Sequence, residues 1–103
     1  MANLKFGFTP THPGEVLKDE IEYRNLSQSR LAKQMGMSYK ILNDILNERR
    51  PITTTTAMMF EAALGIPAYS LINIQTEYNL HVASYDKSLI DRLAEIRKMV
   101  SIL

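Results

Sequence analysis

At 103 residues with 46% hydrophobic side chains, the chain is long enough for one compact core and too short for two. It has no cysteine, which excludes a disulfide framework, a thiolate metal site and a thiol nucleophile, and its charges nearly cancel at a net +1. No run approaches the ~20 apolar residues of a membrane span, and residues 1–11 lack the apolar stretch of a secretory leader, so the expected setting is a reducing cytoplasm.

Strand-like alternation is scarce and the four prolines fall where segments begin or end, so the expected fold class is all-α. Residues 1–11 read as an N-terminal arm. A first helix is expected over residues 13–24: Pro13 suits the first helical position, Glu15 lies near the positive end of the dipole, and Val16, Leu17, Ile21 and Tyr23 supply the inner face. Ser27 can cap a second helix over Gln28–Met35, which Gly36 stops. Ser38 caps a third that runs to Asn47. Its apolar stripe of Ile41, Leu42, Ile45 and Leu46 lies opposite Tyr39, Lys40, Asn43, Asp44 and Asn47. Pro51 forbids helix through residues 48–52, and Thr53 then caps a fourth helix carrying Ala57, Met58, Phe60, Ala62 and Leu64. Met58 and Met59 are expected in the core.

Gly65 and Pro67 close and reopen the chain, and a fifth helix over residues 68–77 presents Leu71, Ile74 and Tyr78 on one face. Five helices over residues 12–80 thus form one domain, and residues 81–85 read as a linker. The segment that follows, residues 86–102, is separately amphipathic. Leu89, Leu93, Ile96, Val100 and Leu103 are spaced alternately four and three apart, which is a heptad seam. So short a seam does not hold a coiled coil alone, leaving two destinations: a second subunit or partner protein, or the chain's own core.

Charge is unevenly placed. Over residues 12–26, Glu15, Asp19, Glu20 and Glu22 outweigh Lys18 and Arg24, a net of −2; over residues 27–52, Arg30, Lys33, Lys40, Arg49 and Arg50 outweigh Asp44 and Glu48, a net of +3. The second stretch has the local footprint of a phosphate-binding face. It also contains two short helices joined by a glycine turn, with Ala32 small where they cross and Leu31, Met37, Leu42 and Ile45 locking the pair. A helix held in this way can enter a major groove, where base edges carry a distinguishable donor and acceptor pattern. Enzymatic constellations are absent: His12 and His81 stand alone as a turn and a linker residue, and no glycine-rich phosphate loop or metal-ligand cluster is present. No cofactor is expected.

These residues resemble the lambda-repressor-like (Xre) helix-turn-helix family, from about Thr11 through Leu80. More narrowly, the chain is similar to the HigA-type antitoxins in His12-Pro13-Gly14-Glu15-Val16-Leu17, in Leu26-Ser27-Gln28 and in Asn47-Glu48-Arg49-Arg50-Pro51-Ile52-Thr53. Ala63-Leu64-Gly65 and residues 73–80 continue the likeness. Two positions depart from the family pattern: Tyr69-Ser70 replaces an aromatic pair, and Glu48 stands where glycine is usual. The resemblance implies that Gln28 braces the DNA backbone and its neighbour on the recognition helix, while Ser38, Tyr39 and Lys40 meet the groove first. Asn43 and Asn47 could each pair with an adenine edge, Asp44 could accept from cytosine, and Arg49, Arg50 and Thr53 would contact phosphates. Bland alternatives stand beside these: Tyr39 packing on the domain surface, Asn47 capping its own helix, Asp44 in a surface salt bridge, and the threonines from Thr53 to Thr56 merely starting a helix.

The implied protein is a repressor that binds an inverted-repeat operator in double-stranded DNA as a homodimer, and an antitoxin that neutralises a co-encoded, mRNA-cleaving RelE-like toxin. A stand-alone Xre regulator would share the groove-reading face. An adaptor without DNA binding would use only the seam from Leu89 to Leu103.

Overall fold

Each turn of the chain is set by a residue that takes up backbone groups a helix end leaves free. The computed structural model describes residues 10–103, so the arm expected over residues 1–11 lies outside the described residues except for Pro10 and Thr11. The described residues form six helices: α1 (Pro13–Tyr23), α2 (Gln28–Met35), α3 (Tyr39–Leu46), α4 (Thr54–Leu64), α5 (Ala68–Ala83) and α6 (Lys87–Ser101). The side chains of His12, Ser27, Ser38, Thr53 and Asp86 each accept from a backbone amide of the first turn. Thr53 and Thr56 cap reciprocally, threonine serving where a glutamate or glutamine is commoner. Pro67 offers no side-chain cap, and Glu61 supplies one from α4 by accepting from the Ala68 amide at 2.9 Å.

The exits of α2, α3 and α4 depend on left-handed residues. Gly36 (φ 68°) and Gly65 (φ 76°) end α2 and α4 as their sequence suggests. Glu48 (φ 63°) does the same after α3, in a conformation that glycine adopts at less cost. The Glu48 amide donates to the Ile45 carbonyl and that of Arg49 to Asp44, a Schellman turn that folds Arg49 back over the helix.

Helices α1 to α5 share one core of Leu17, Ile21, Leu31, Ala32, Leu42, Ile45, Leu46, Ile52, Ala57, Phe60, Leu64 and Leu71. At its centre α1 crosses α3 so closely that a Cβ on Gly14 would collide with the Ile45 carbonyl. Polar tie points bind the shell: Gln75 accepts from the Ile52 amide at 2.8 Å, and Arg24 donates to the Leu64 carbonyl at 2.7 Å.

Four expectations are corrected. Tyr23 is 88% exposed, because two residues beyond buried Ile21 the helix has turned about 200°. Met58 is 61% exposed and Met59 half-buried, since the buried stripe of α4 runs through Ala57, Phe60 and Leu64. Helix α5 continues to Ala83, so the expected linker begins three residues late: residues 78–83 contain no breaker. His81 is accordingly a helical residue, packed edge-on to Tyr85. Helix α6 contributes no buried residue to the core.

His12 is more than a turn residue. It is buried, its Nδ1 accepts from the Gly14 amide at 2.9 Å, and its ring meets Tyr78 edge-on with centroids 4.7 Å apart. Burial lowers its pKa below the ordinary 6.5, partly opposed by the Glu48 carboxylate. The unfolded chain therefore takes up a proton first. Stability should be full above about pH 6.5 and decline as the pH falls through it toward the lower folded value. Melting curves between pH 7.5 and roughly 5.5 should show this decline, and His12→Asn, which keeps a capping oxygen but does not titrate, should flatten it. A decline of equal size in the variant would assign it to another group.

Candidate nucleic-acid interface

The exposed face of α3 is built from its two ends. Ser38 spends its hydroxyl as the N-cap, accepting from the Ile41 amide at 3.1 Å, and so places Tyr39 and Lys40 in the first turn. Tyr39 is half-exposed rather than packed away. Gln28, opening α2, reaches across to α3, where its Oε1 accepts from Asn43 Nδ2 at 3.3 Å. Six of the residues selected from the sequence form one bonded chain. Gln28 holds Asn43; Asn43 Oδ1 accepts from Arg49 at 3.0 Å; Arg49 Nε donates to Asp44 Oδ1 at 3.3 Å; and Lys40 and Arg50 lie 3.1 and 3.9 Å from Asp44 Oδ2.

Asp44 is thus ringed by three cations with its side chain only 13% exposed. Hydrogen bonding from Lys40, then the charge of Lys40 and the contact with Arg49, hold its carboxyl below the ordinary carboxylate range against the opposing effect of burial. In the free protein it is therefore a salt-bridged residue.

Asn47 is engaged differently from Asn43. It is the C-cap of α3, its Nδ2 donating to the Asn43 carbonyl at 2.9 Å and its Oδ1 accepting from Lys18 at 3.5 Å. Lys18 was not selected from the sequence, and no local signal marks it: α1 reaches this position only through the tertiary crossing. Thr53 is exposed but engaged with Thr56 in the α4 cap, outside the bonded chain. Of the seam residues, Leu89, Leu93, Ile96 and Val100 lie on α6 and Leu103 two residues beyond its end, and all five are exposed. Among the described residues no cluster of three His, Asp or Glu could hold a metal, and no helix is long and apolar enough to cross a membrane.

A short helix presenting amide, hydroxyl and guanidinium groups, braced by the helix before it, is the arrangement of groove-reading helix-turn-helix modules. The Helix-turn-helix family model (HTH_3) matches residues 17–71, and the chain belongs to this Xre-like family. It is 40% identical over 81 residues to virulence-associated protein I of Dichelobacter nodosus, covering 78% of this chain and 75% of that one. Among solved structures it is similar to Pseudomonas aeruginosa antitoxin HigA with the higBA promoter: TM-score 0.72, 32% identity, 81% of this chain and 92% of that one. It is also similar to an addiction module antidote protein of a HigA family from Coxiella burnetii: TM-score 0.71, 29% identity, 88% and 95% of the two chains. The likeness to HigA-type antitoxins therefore extends from the helix-turn-helix into most of the chain.

Proposed function

We propose that this protein is a DNA-binding antitoxin and autorepressor that reads an inverted-repeat operator in the cytoplasm as a homodimer. In this reading residues 12–80 are a five-helix DNA-binding unit, and α6 is an added helix that joins two copies. The observation that carries it is the bonded array around α3, Gln28 through Asn43 and Arg49 to Asp44, in a chain similar to P. aeruginosa antitoxin HigA with the higBA promoter. Asn43 reads a base, Arg49 and Arg50 contact phosphates, and Ser38, Tyr39 and Lys40 line the groove entry. Thr53 and the α4 start add a backbone contact, and Asn47 sets the angle of the helix end. The second partner is a co-encoded RelE-like toxin, which the antitoxin would neutralise.

The first test is titration of the purified protein against the DNA immediately upstream of its own gene, with scrambled duplex as competitor. Selective, salt-sensitive binding is expected; equal binding to both duplexes would leave only an adaptor function. Two variants divide the roles. Asn43→Ala should cost about 1 to 3 kcal/mol on the preferred base and relax preference at that position, whereas Arg50→Ala should weaken all sequences alike and reduce the salt slope by about 1. Equal effects on base preference would sink that division.

A further inference from the structure

The polar side chains of α3 are engaged by one another and by Gln28, Arg49 and Arg50 in the free protein. Both ends of the Asn43 amide are engaged, Nδ2 donating to Gln28 and Oδ1 accepting from the Arg49 guanidinium. A carboxamide reads adenine with the same two atoms, its oxygen accepting from N6 and its nitrogen donating to N7. Arg49 therefore stands on the acceptor that base reading needs. Two contacts keep it there: its backbone amide donates to the Asp44 carbonyl at 2.8 Å, and its Nε donates to the Asp44 carboxylate at 3.3 Å. Lys40 and Arg50 close on the other carboxylate oxygen. The Asp44 carboxylate is the anion that these three cations share in the free protein.

We propose that Asp44 is a positioning residue that acts as an internal counter-ion: it holds Arg49 across Asn43 in the free protein, and a correctly placed DNA phosphate draws Arg49 away and opens Asn43 to its base. The proposal rests on the DNA-reading function above and adds how selectivity is set. Where the DNA backbone lies out of register, Arg49 stays on Asp44, the amide stays capped, and the attraction of the basic face is reduced by the carboxylate within it. Where it lies in register, phosphate capture and base reading occur together. The geometry disfavours direct cytosine reading by Asp44, because both carboxylate oxygens already face cations and the side chain is nearly covered.

The test uses the full chain, a duplex that the wild-type protein selects from a randomised pool, and a scrambled duplex of the same composition, with affinities measured across a salt series. Asp44→Asn keeps the shape and removes the charge. Affinity for the scrambled duplex should rise roughly three- to tenfold, more than for the selected one, so the selectivity ratio falls. Arg49→Lys keeps the charge but has no fork to span Asn43 and Asp44; it should lower the ratio in the same direction without flattening the salt dependence. If Asp44 were only structural, Asp44→Asn would lower the melting temperature and leave the ratio unchanged. If it read cytosine, the variant would lose affinity for the selected duplex alone, and one altered base pair would restore it. Either result overturns the latch and leaves DNA reading intact. Failure of the wild-type protein to select any duplex overturns DNA reading, and the latch with it.

Discussion

Gly14→Ala is expected to destabilise the protein by about 3 kcal/mol, lowering its melting temperature by roughly 10 to 20 °C. Helix propensity predicts the opposite sign, since alanine favours a helix over glycine by roughly 1 kcal/mol. The difference is tertiary. A Cβ at position 14 meets the Ile45 carbonyl, a backbone atom that cannot swing away, and also crowds the His12 imidazole that caps α1. Relief requires α1 and α3 to separate, opening the core around Leu17 and Ile45, both fully buried. Because α3 is the proposed reading helix, weakened DNA binding should accompany the loss. Gly36→Ala is the control: there is open space around that position, so only the left-handed backbone opposes the substitution, at about 1 kcal/mol. Thermal unfolding followed by circular dichroism decides between them. A Gly14→Ala protein melting at or above the wild type would refute the close crossing.

This contrast marks what could be read from the chain. Ser27, Gly36, Ser38, Thr53 and Gly65 act on backbone groups within a few residues, and the helix ends they signal are where the structure has them. Burial was readable where a stripe is strict, as in Leu42, Ile45 and Leu46, and misleading at Tyr23 and Met58, where apolar character marks no buried position. The end of α5 carries no signal, because nothing between Tyr78 and Ala83 opposes helix. Gly14 could be seen as a glycine, but its reason lies on α3. The same holds for the candidate interface. Lys40, Asn43 and Asp44 were legible as the polar face of one helix, and Gln28, Arg49 and Arg50 through the family resemblance, but the bond from Gln28 to Asn43 spans 15 residues and the role of Arg49 depends on the turn at Glu48. Which side chains engage one another is a property of the crossing of α2 on α3.

Breaking the α6 seam should have the largest effect on function while leaving the domain folded. In the dimer proposed above, Leu93→Asp combined with Ile96→Asp is expected to leave a monomer and to weaken operator binding roughly a hundredfold or more, because the second half-site is then no longer held at high effective concentration. Four seam residues repeat along α6 and Leu103 continues the spacing past its end, yet no residue of the helix is buried and Leu103 is exposed too. An isolated helix of 15 residues is marginal in water, so the apolar stripe needs a partner to cover it. The charges flanking the seam do not oppose pairing by themselves: Lys87 is bonded to Asp91 on the outer side, and Arg92 and Arg97 can lay their methylene stems along apolar neighbours. Because neither substituted residue belongs to the core of α1 to α5, the melting temperature should stay close to that of the wild type. Sedimentation gives the mass and an anisotropy titration the affinity. A variant that remains dimeric would move the subunit contact away from α6. One that becomes monomeric yet binds the operator undiminished would show that a single helix-turn-helix suffices, and would leave the seam to a different partner.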